Sequence, residues 1–197
     1  MNIFEAQISH FGASTIIAGV DEAGRGPLAG PLVVAAVILK QDAYNAILND
    51  SKKLSEKKRD MLYDWVIASA IDYTIKVISP EEIDKMNILQ ATLYGMRECI
   101  HSLKTAPDIA LIDGNQVPKD VATKCQAVVK GDSTYSSISA ASILAKVTRD
   151  RIMYELDKKY PQYYFDQHKG YPTAKHIELI NKYGMTPEHR KTFTIRR

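Results

Sequence analysis

The chain is poor in cysteine and histidine, the residues from which disulfide frameworks and soft-metal sites are built. Two cysteines, Cys99 and Cys125, occur in 197 residues without CxxC spacing, and the five histidines are scattered. This pattern argues against a disulfide scaffold and against a zinc site of the Cys/His type. We expect both cysteines to be free thiols, buried or half-buried in the fold.

Long apolar segments are also lacking. The longest apolar run, Leu32 to Leu39, is far shorter than the ~20 residues that a helix needs to span a bilayer. The first residues, MNIFEAQISHF, have neither the basic start nor the apolar stretch of a secretory signal. The sequence therefore predicts a cytoplasmic protein that makes no membrane contact.

The net charge of +3 is small, but it is unevenly distributed. Residues 168–197 carry seven Lys or Arg against two Glu, whereas the preceding part has a slight excess of acids. A basic end on a near-neutral body is consistent with a phosphate-contacting surface. On its own, such an end is more often a solvated terminus.

Alternating strand and helix patterns predict a mixed α/β (α+β) domain around one sheet. Apolar runs bounded by Gly or Pro predict strands at residues 15–21, 32–40, 73–78, 108–113 and 125–129. Helical spacing of apolar residues, with capping signals at Ser55 and at Ser79-Pro80-Glu81-Glu82, predicts helices after these points. Further helices are predicted at residues 136–157 and 174–183, the last one ending at Gly184.

Carboxylates stand at the ends of several of these elements. Asp21 and Glu22 follow one apolar strand, Asp113 ends another, and Asp132 precedes the long helix. Each acid alone has a structural explanation, namely a solvated strand end, an Asp-Gly turn or a helix N-cap. Successive strand residues point to opposite faces. Asp21 and Glu22 can therefore serve one site only at a strand end or a distortion, which the following glycines would permit.

Several acids brought together by one sheet would form a site of hard oxygen ligands. Such ligands, without His or Cys, favour Mg²⁺ or Mn²⁺. Three or four carboxylates suit a two-metal site for phosphoryl transfer, with the ions about 3.5–4 Å apart. The pattern thus favours chemistry on a phosphodiester.

Five motifs, in this order, closely resemble bacterial ribonuclease HII, the type 2 ribonuclease H. They are DEAGRG, NDSKKLSEKKR, LIDGN, VVKGDS followed by ISAASILAKVTRD, and HKGYPT, spread from about Ile17 to Phe193. The resemblance implies a ribonuclease H-like fold, a mixed sheet flanked by helices. It also implies a catalytic domain over residues 1–157 and a small helical C-terminal segment over residues 158–197 that covers the substrate groove.

The resemblance implies residue roles as well. The Gly-Arg-Gly turn that reads the ribonucleotide's 2′-hydroxyl matches Gly24, Arg25 and Gly26, and the tyrosine that stacks beneath the sugar at the RNA–DNA junction matches Tyr171. The acids that hold Mg²⁺ or Mn²⁺ and act in catalysis match Asp21, Glu22, Asp113 and Asp132. The residues that look like phosphate contacts or structural supports are Lys52, Lys53, Lys146 and Arg149.

These roles are physically reasonable. Only the 2′-hydroxyl distinguishes RNA from DNA at a single nucleotide, and glycines allow backbone to approach it without a Cβ. Arg25 can bind the adjacent phosphate through two parallel hydrogen bonds. Tyr171 offers a flat ring and a hydroxyl in one rigid side chain.

The reaction implied is hydrolysis of the RNA strand of RNA–DNA hybrids and cutting at single ribonucleotides embedded in duplex DNA, leaving 5′-phosphate and 3′-hydroxyl ends. Such an enzyme would excise misincorporated ribonucleotides during DNA replication and repair. We expect a monomer whose partners are the hybrid duplex and ribonucleotide-containing DNA.

Other interpretations remain open at this stage. Gly24, Gly26 and Gly30 after a strand suggest a nucleotide-binding module, although the spacing is GxGxxxG and a second apolar run, not a helix, follows. A non-enzymatic nucleic-acid-binding protein would use the basic tail and never cleave. A junction resolvase would also use clustered acids, but it would leave the Gly-Arg-Gly turn and Tyr171 without a purpose.

Overall fold

A computed structural model describes residues 1–48 and 54–194. Five strands form one sheet: β1 (Ile17–Ala23), β2 (Leu32–Leu39), β3 (Ala70–Ile78), β4 (Ile109–Asp113) and β5 (Lys124–Val128). The helices of the described residues are α1 (Ile3–Phe11), α2 (Glu56–Ser69), α3 (Pro80–Met86), α4 (Ile88–Ser102), α5 (Ser136–Lys159), α6 (Phe165–His168) and α7 (Ala174–Tyr183). No helix in these two ranges is long and apolar enough to cross a membrane.

The sheet order is β3-β2-β1-β4-β5, with β1 in the middle. β1 runs antiparallel to β2 and parallel to β4, and β4 runs parallel to β5. The C-terminal ends of β1, β4 and β5 therefore meet at one edge of the sheet. The β1–β4 ladder ends at Val20 opposite Ile112, so the acids that follow on both strands lie side by side just beyond it.

Two apolar layers cover the sheet, and β2 is buried along its whole length. Odd-numbered β2 residues such as Val33 and Val37 pack with α5 and α2, whereas even-numbered ones such as Val34 and Ala36 pack with α4. This division follows from the two-residue period of a strand. At Gly19, an added Cβ would lie 2.0 Å from the carbonyl carbon of Ser137. The missing side chain thus lets the start of α5 rest directly on β1.

The C-terminal segment builds a third, smaller core against the loop between β1 and β2. Its members are Leu28, Ala29, Met153, Tyr163, Phe165, Leu179 and Ile180. Backbone hydrogen bonds tie the two parts together: the Leu28 N–H donates to the Gly170 carbonyl and the Gly30 N–H to the Glu188 carbonyl, both at 2.8 Å. The loop is therefore held between the sheet and the C-terminal helices.

The mixed α/β architecture and most of the predicted elements are confirmed. The capping box at Ser79 and Glu82 is present, Gly184 caps the C-terminus of α7, and both cysteines are free thiols, Cys99 buried and Cys125 half-buried. α1 was not predicted, although Asn2 and Glu5 form a capping box at its start.

Element boundaries differ at several places, among them the start of β3, which is Ala70 where residue 73 was expected. β1 continues through both acids to Ala23 in regular pairing with β2, so the distortion expected there is absent and the sheet edge itself gathers the acids. Asn87, with φ of 65°, separates α3 from α4. α5 continues to Lys159, so the expected division at residue 157 falls inside its last turn.

Candidate active site

Two acids of β1 lie at the carboxyl edge of the sheet. Asp21 is 5% exposed; its carboxylate accepts hydrogen bonds from the Ser142 hydroxyl on α5 and from the Glu22 N–H at 2.7 Å. Glu22 points to the other face and pairs with the guanidinium of Arg25 at 3.4 Å. Alternation along the strand thus places the two carboxylates on either side of the sheet edge.

Two further acids reach this edge from β4 and from the turn before α5. Asp113 is the last residue of β4, and its Oδ1 accepts a hydrogen bond from the Gly131 N–H at 2.7 Å. Gly131 opens a single 3₁₀ turn that ends at Ser133 and holds the buried Asp132. The Asp113–Gly131 bond therefore links the third acid to the turn that carries the fourth.

The acids of this edge repel one another. Burial, with added repulsion from Glu22 and Asp113, raises the pKa of Asp21 well above its usual 3.8. Burial also raises the pKa of Glu22 above 4.5; the Arg25 guanidinium opposes this rise and Asp113 adds to it. Such concentrated negative charge in a buried place is costly unless a cation compensates it.

One carboxylate oxygen is conspicuous. Glu22 Oε2 is buried and finds no hydrogen-bond partner among the residues that the structure describes. Across residues 1–48 and 54–194, no group of three or more His, Cys, Asp or Glu side chains is arranged to hold a metal ion as it stands. In this arrangement the four acids therefore do not form a closed chelate. Their chemistry, oxygen donors only, fits Mg²⁺ or Mn²⁺.

A cleft of about 390 Å³ opens beside these acids. It brings together acids, the glycine-rich turn, basic side chains and one tyrosine from distant parts of the chain. Its lining residues are Glu22, Ala23, Gly24, Arg25, Gly26, Arg59, Asp132, Ser142, Ile143, Lys146 and Tyr171. The Gly-Arg-Gly turn and Tyr171 thus lie in one depression with Glu22 and Asp132.

The glycines of the turn differ in what they require. Gly24 has φ of 97°, and a Cβ there would lie 2.1 Å from Arg149 Nε, so the fold itself demands glycine. At Gly26 the nearest atom to an added Cβ would be Tyr171 Cε1 at 3.8 Å. A side chain at Gly26 would therefore fit the protein and project beside the Tyr171 ring.

Two buried guanidinium groups hold the loop that contains the turn. Arg190 donates to the carbonyls of Gly24 (2.6 Å), Arg25 (3.0 Å) and Gly30 (2.9 and 3.1 Å). Burial and the neighbouring charge of Arg149 lower the pKa of Arg190 to about 9, which leaves it a cation at neutral pH. The shape of the turn is therefore set from the C-terminal segment.

The structure favours one of the two roles that the sequence left open for Arg149. Arg149 is 1% exposed and donates to the carbonyls of Pro31, Ala29 and Lys169, so it is a support and is not available to a phosphate. Arg190, counted in the basic tail, is equally buried because it binds the loop carbonyls.

The lysines that the sequence singled out are Lys146, Lys52 and Lys53, and the structure describes only the first of them. Lys146 lines the cleft and pairs with Asp150 at 2.6 Å. Lys52 and Lys53 lie outside the described residues.

Sequence reasoning missed Ser142, Arg59 and the loop-holding role of Arg190. Ser142 lies one helical turn before Lys146, which was noticed, so the spacing on α5 was an available signal. Nothing in the local pattern indicates that Arg190 contacts residues 160 positions away.

Comparisons with known proteins agree with this geometry. A family model described as Ribonuclease HII matches residues 18–196. A ribonuclease HII of Vibrio parahaemolyticus is 57% identical over 180 residues, covering 90% of this chain and 84% of that protein. A ribonuclease HII of Clostridioides difficile is 51% identical over 193 residues, covering 98% and 75%.

A solved structure shares the fold. The ribonuclease H2 of Pyrococcus horikoshii superposes with a TM-score of 0.76 at 31% identity, covering 91% of this chain and 94% of that chain. In the chain described here, a strand and not a helix follows Gly30, which removes the nucleotide-binding alternative. The chain therefore belongs to the ribonuclease HII family and is a ribonuclease H endonuclease, a hydrolase.

Proposed function

We propose that the enzyme hydrolyses the RNA strand of RNA–DNA hybrids and cuts duplex DNA at single embedded ribonucleotides, leaving 5′-phosphate and 3′-hydroxyl ends. The observation that carries this proposal is the single cleft that combines Glu22 and Asp132 with the Gly-Arg-Gly turn and Tyr171. Acids supply the chemistry on a phosphodiester, and the turn and the tyrosine supply the recognition of one ribonucleotide beside it.

The carboxylates that would hold the metal ions are Asp21, Glu22, Asp113 and Asp132. Their buried negative charge, seen in the raised pKa values of Asp21 and Glu22, and the unpartnered Glu22 Oε2 are what a cation would compensate. Two bound Mg²⁺ or Mn²⁺ ions would supply Lewis-acid polarisation of the phosphate and a stronger water nucleophile.

Recognition of the 2′-hydroxyl would fall to the turn. Arg190 donates to carbonyls of the turn itself, and Arg149 donates to Pro31 in the same loop. The backbone of the turn is therefore already positioned before substrate arrives, which reduces the entropic cost of binding. The absence of a side chain at Gly26 leaves the space next to the Tyr171 ring open to a sugar.

Cleavage of a long RNA–DNA hybrid tests the reaction type. With Mg²⁺ or Mn²⁺ we expect internal cuts in the RNA strand whose products carry 5′-phosphates, detected by labelling before and after phosphatase treatment. With EDTA we expect none. Products with cyclic or 3′-phosphate ends would mean that the 2′-hydroxyl attacks, and they would contradict hydrolysis by activated water.

Tyr171 should matter most where RNA meets DNA. Its side chain is 43% exposed at the cleft, and its ring lies 5.7 Å from the guanidinium carbon of Arg149. Loss of a stacking platform costs about 1–3 kcal/mol, so Tyr171→Ala should lower kcat/KM on a single embedded ribonucleotide by about tenfold to a hundredfold. Tyr171→Phe, which keeps the ring, should stay near the wild type. Equal rates for Ala and wild type would remove the stacking role.

Lys146 should bind a phosphate of the substrate. The logarithm of the binding constant for the duplex should fall with the logarithm of salt concentration. We expect Lys146→Met to make this fall shallower by about 0.9, as loss of one phosphate contact does. Binding would be measured in EDTA so that no cleavage occurs. Lys158 on the same helix pairs with Glu155 away from the cleft, and Lys158→Met is the matched control with an unchanged slope. Equal slopes in both variants would contradict the contact.

A further inference from the structure

Three of the five histidines, dispersed in the sequence, come together beneath Tyr171. His176 and His189 are 0% and 1% exposed, and their Nε2 atoms lie 3.1 Å apart. The ring of His168 stacks on that of His176, with centroids 4.2 Å apart. The cluster belongs to the C-terminal segment, contains no acid or cation within these contacts, and has no place in the reaction described above.

The hydrogen bonds of the cluster fix which nitrogen carries each proton. The Thr186 N–H donates to His189 Nδ1 at 2.9 Å, so in neutral His189 the proton is on Nε2. His189 Nε2 then donates to His176 Nε2. His176 must therefore carry its proton on Nδ1, which donates to the Tyr171 carbonyl at 3.0 Å. One tautomer of each ring satisfies all three bonds.

The result is a one-directional chain of hydrogen bonds, the histidine relay, that runs from Thr186 through His189 and His176 to the Tyr171 carbonyl. It requires both rings to be neutral, because a proton added to either ring would place two N–H donors against each other. Burial lowers the pKa of both His176 and His189 to about 4. Both rings are therefore neutral at physiological pH, and the relay is intact.

The relay ends on a residue whose backbone is held by hydrogen bonds and whose ring is partly exposed at the cleft. The Tyr171 N–H donates to the His168 carbonyl at 2.9 Å, and its own carbonyl also accepts from the Thr173 N–H at 2.8 Å. Gly170, with φ of 81°, leaves no room for a side chain against the Ala29 carbonyl. The peptide group of Tyr171 is thus held on both sides, and it fixes the Cα–Cβ bond from which the ring extends toward the Arg149 guanidinium, 5.7 Å from the ring centroid.

We propose that His176 and His189 are positioning residues that orient Tyr171 for the embedded ribonucleotide through the histidine relay. This inference rests on the proposed role of Tyr171. Neither histidine lines the cleft, so neither contacts the substrate itself, and the relay reaches the cleft through Tyr171.

A double-mutant cycle tests the relay. His176→Phe keeps a planar ring and removes the donor to Tyr171. We expect it to lower kcat/KM on a single embedded ribonucleotide by about tenfold in the wild-type background and by less than about twofold in the Tyr171→Ala background, because coupled residues are non-additive. His176→Asn, whose amide N–H occupies the place of Nδ1–H, should recover activity to within about threefold of wild type.

Two outcomes would overturn the inference while the proposed function stands. They are a full loss from His176→Phe in both backgrounds, which is a purely structural effect, and no loss in either background while Tyr171→Ala is impaired. If Tyr171→Ala itself is fully active, the stacking role fails and the inference fails with it. Should His176→Phe not fold, His189→Met carries the same cycle, with His189→Gln, whose Nε2 can donate to His176, as its conservative partner.

Discussion

Asp21→Asn should abolish cleavage and at the same time stabilise the protein. Asp21 is more buried than Glu22, the other acid on β1, and the negative charges of Glu22 and Asp113 repel its carboxylate. Removing a residue that only hydrogen-bonds to a metal ligand lowers metal affinity or activity by about 10–100-fold. Loss of the proposed ligand itself should therefore lower kcat by more than about a hundredfold. Binding of uncleaved substrate should persist, because the turn and Tyr171 are untouched.

The stability gain follows from the same charge. Since burial and repulsion from Glu22 and Asp113 raise the pKa of Asp21, the ionised carboxylate destabilises the metal-free fold. Each pKa unit corresponds to about 1.4 kcal/mol. We expect Asp21→Asn in EDTA at neutral pH to gain roughly 1 kcal/mol or more, which is about 2–4 °C in Tm for a domain of this size. Differential scanning calorimetry measures it.

The pH dependence gives this prediction its sign. The folded pKa of Asp21 lies above the usual 3.8, so at intermediate pH the folded wild type holds a proton that the unfolded chain has released. As pH falls through the raised value, the wild type recovers stability, and below 3.8 its difference from Asp21→Asn should vanish. A difference that does not change with pH would contradict the assigned cause.

Glu82→Gln is the matched control. The backbone N–H of Ser79 lowers the pKa of Glu82 by donating to its carboxylate in the capping box of α3. This acid stabilises the fold in its ionised form, so its amide variant should lose stability at neutral pH. Opposite signs for the two acid-to-amide changes would distinguish a charge held for function from one held for structure.

Arg190→Met should strongly destabilise the fold. It leaves the carbonyls of Gly24, Arg25 and Gly30 without the donors that hold them. An unsatisfied buried acceptor costs about 1–3 kcal/mol, and removal of one member of a buried charged network about 3–5 kcal/mol. We expect a loss of about 3–5 kcal/mol in the free energy of unfolding, measured by urea denaturation, with loss of cleavage wherever the variant remains folded.

Arg151→Met is the control for this change. Arg151 forms an exposed ion pair with Asp60 at 2.9 Å, and pairs of that kind contribute about 1 kcal/mol or less. A similar loss from both arginines would show that the carbonyl contacts of Arg190 carry no special weight. A stable Arg190→Met variant with wild-type cleavage would show that the turn holds its shape without the guanidinium.

Local patterns in the sequence sufficed for most of the fold. Apolar runs bounded by Gly or Pro located the five strands, and helical spacing located the long helix, because each signal depends on residues close in the chain. α1 was not predicted because its apolar pattern covers only nine residues, although Asn2 and Glu5 form a capping box at its start. The boundary of β1 was misplaced because only tertiary pairing shows that Asp21 and Glu22 remain in the ladder with β2.

The candidate site divides in the same way. The acids, the turn and Tyr171 were indicated by short motifs; of these, Glu22, Asp132, the turn and Tyr171 line one cleft, whereas Asp113 lines a neighbouring depression with Glu22. Arg149 was noticed, but its supporting role was left open beside a phosphate contact, and the roles of Arg190 and His189 were not predicted, since they depend on tertiary contacts. A basic or aromatic residue looks the same in sequence whether it faces solvent or a buried carbonyl.

The most direct test of the account uses a labelled DNA duplex with one embedded ribonucleotide beside an all-DNA duplex of the same sequence, each with Mg²⁺, Mn²⁺ or EDTA. We predict one metal-dependent cut at the ribonucleotide and an intact all-DNA control. Cleavage of both duplexes would contradict the assigned roles of the Gly-Arg-Gly turn and Tyr171. Absence of cleavage with either metal, while the duplex is bound, would contradict the proposed function of the acids.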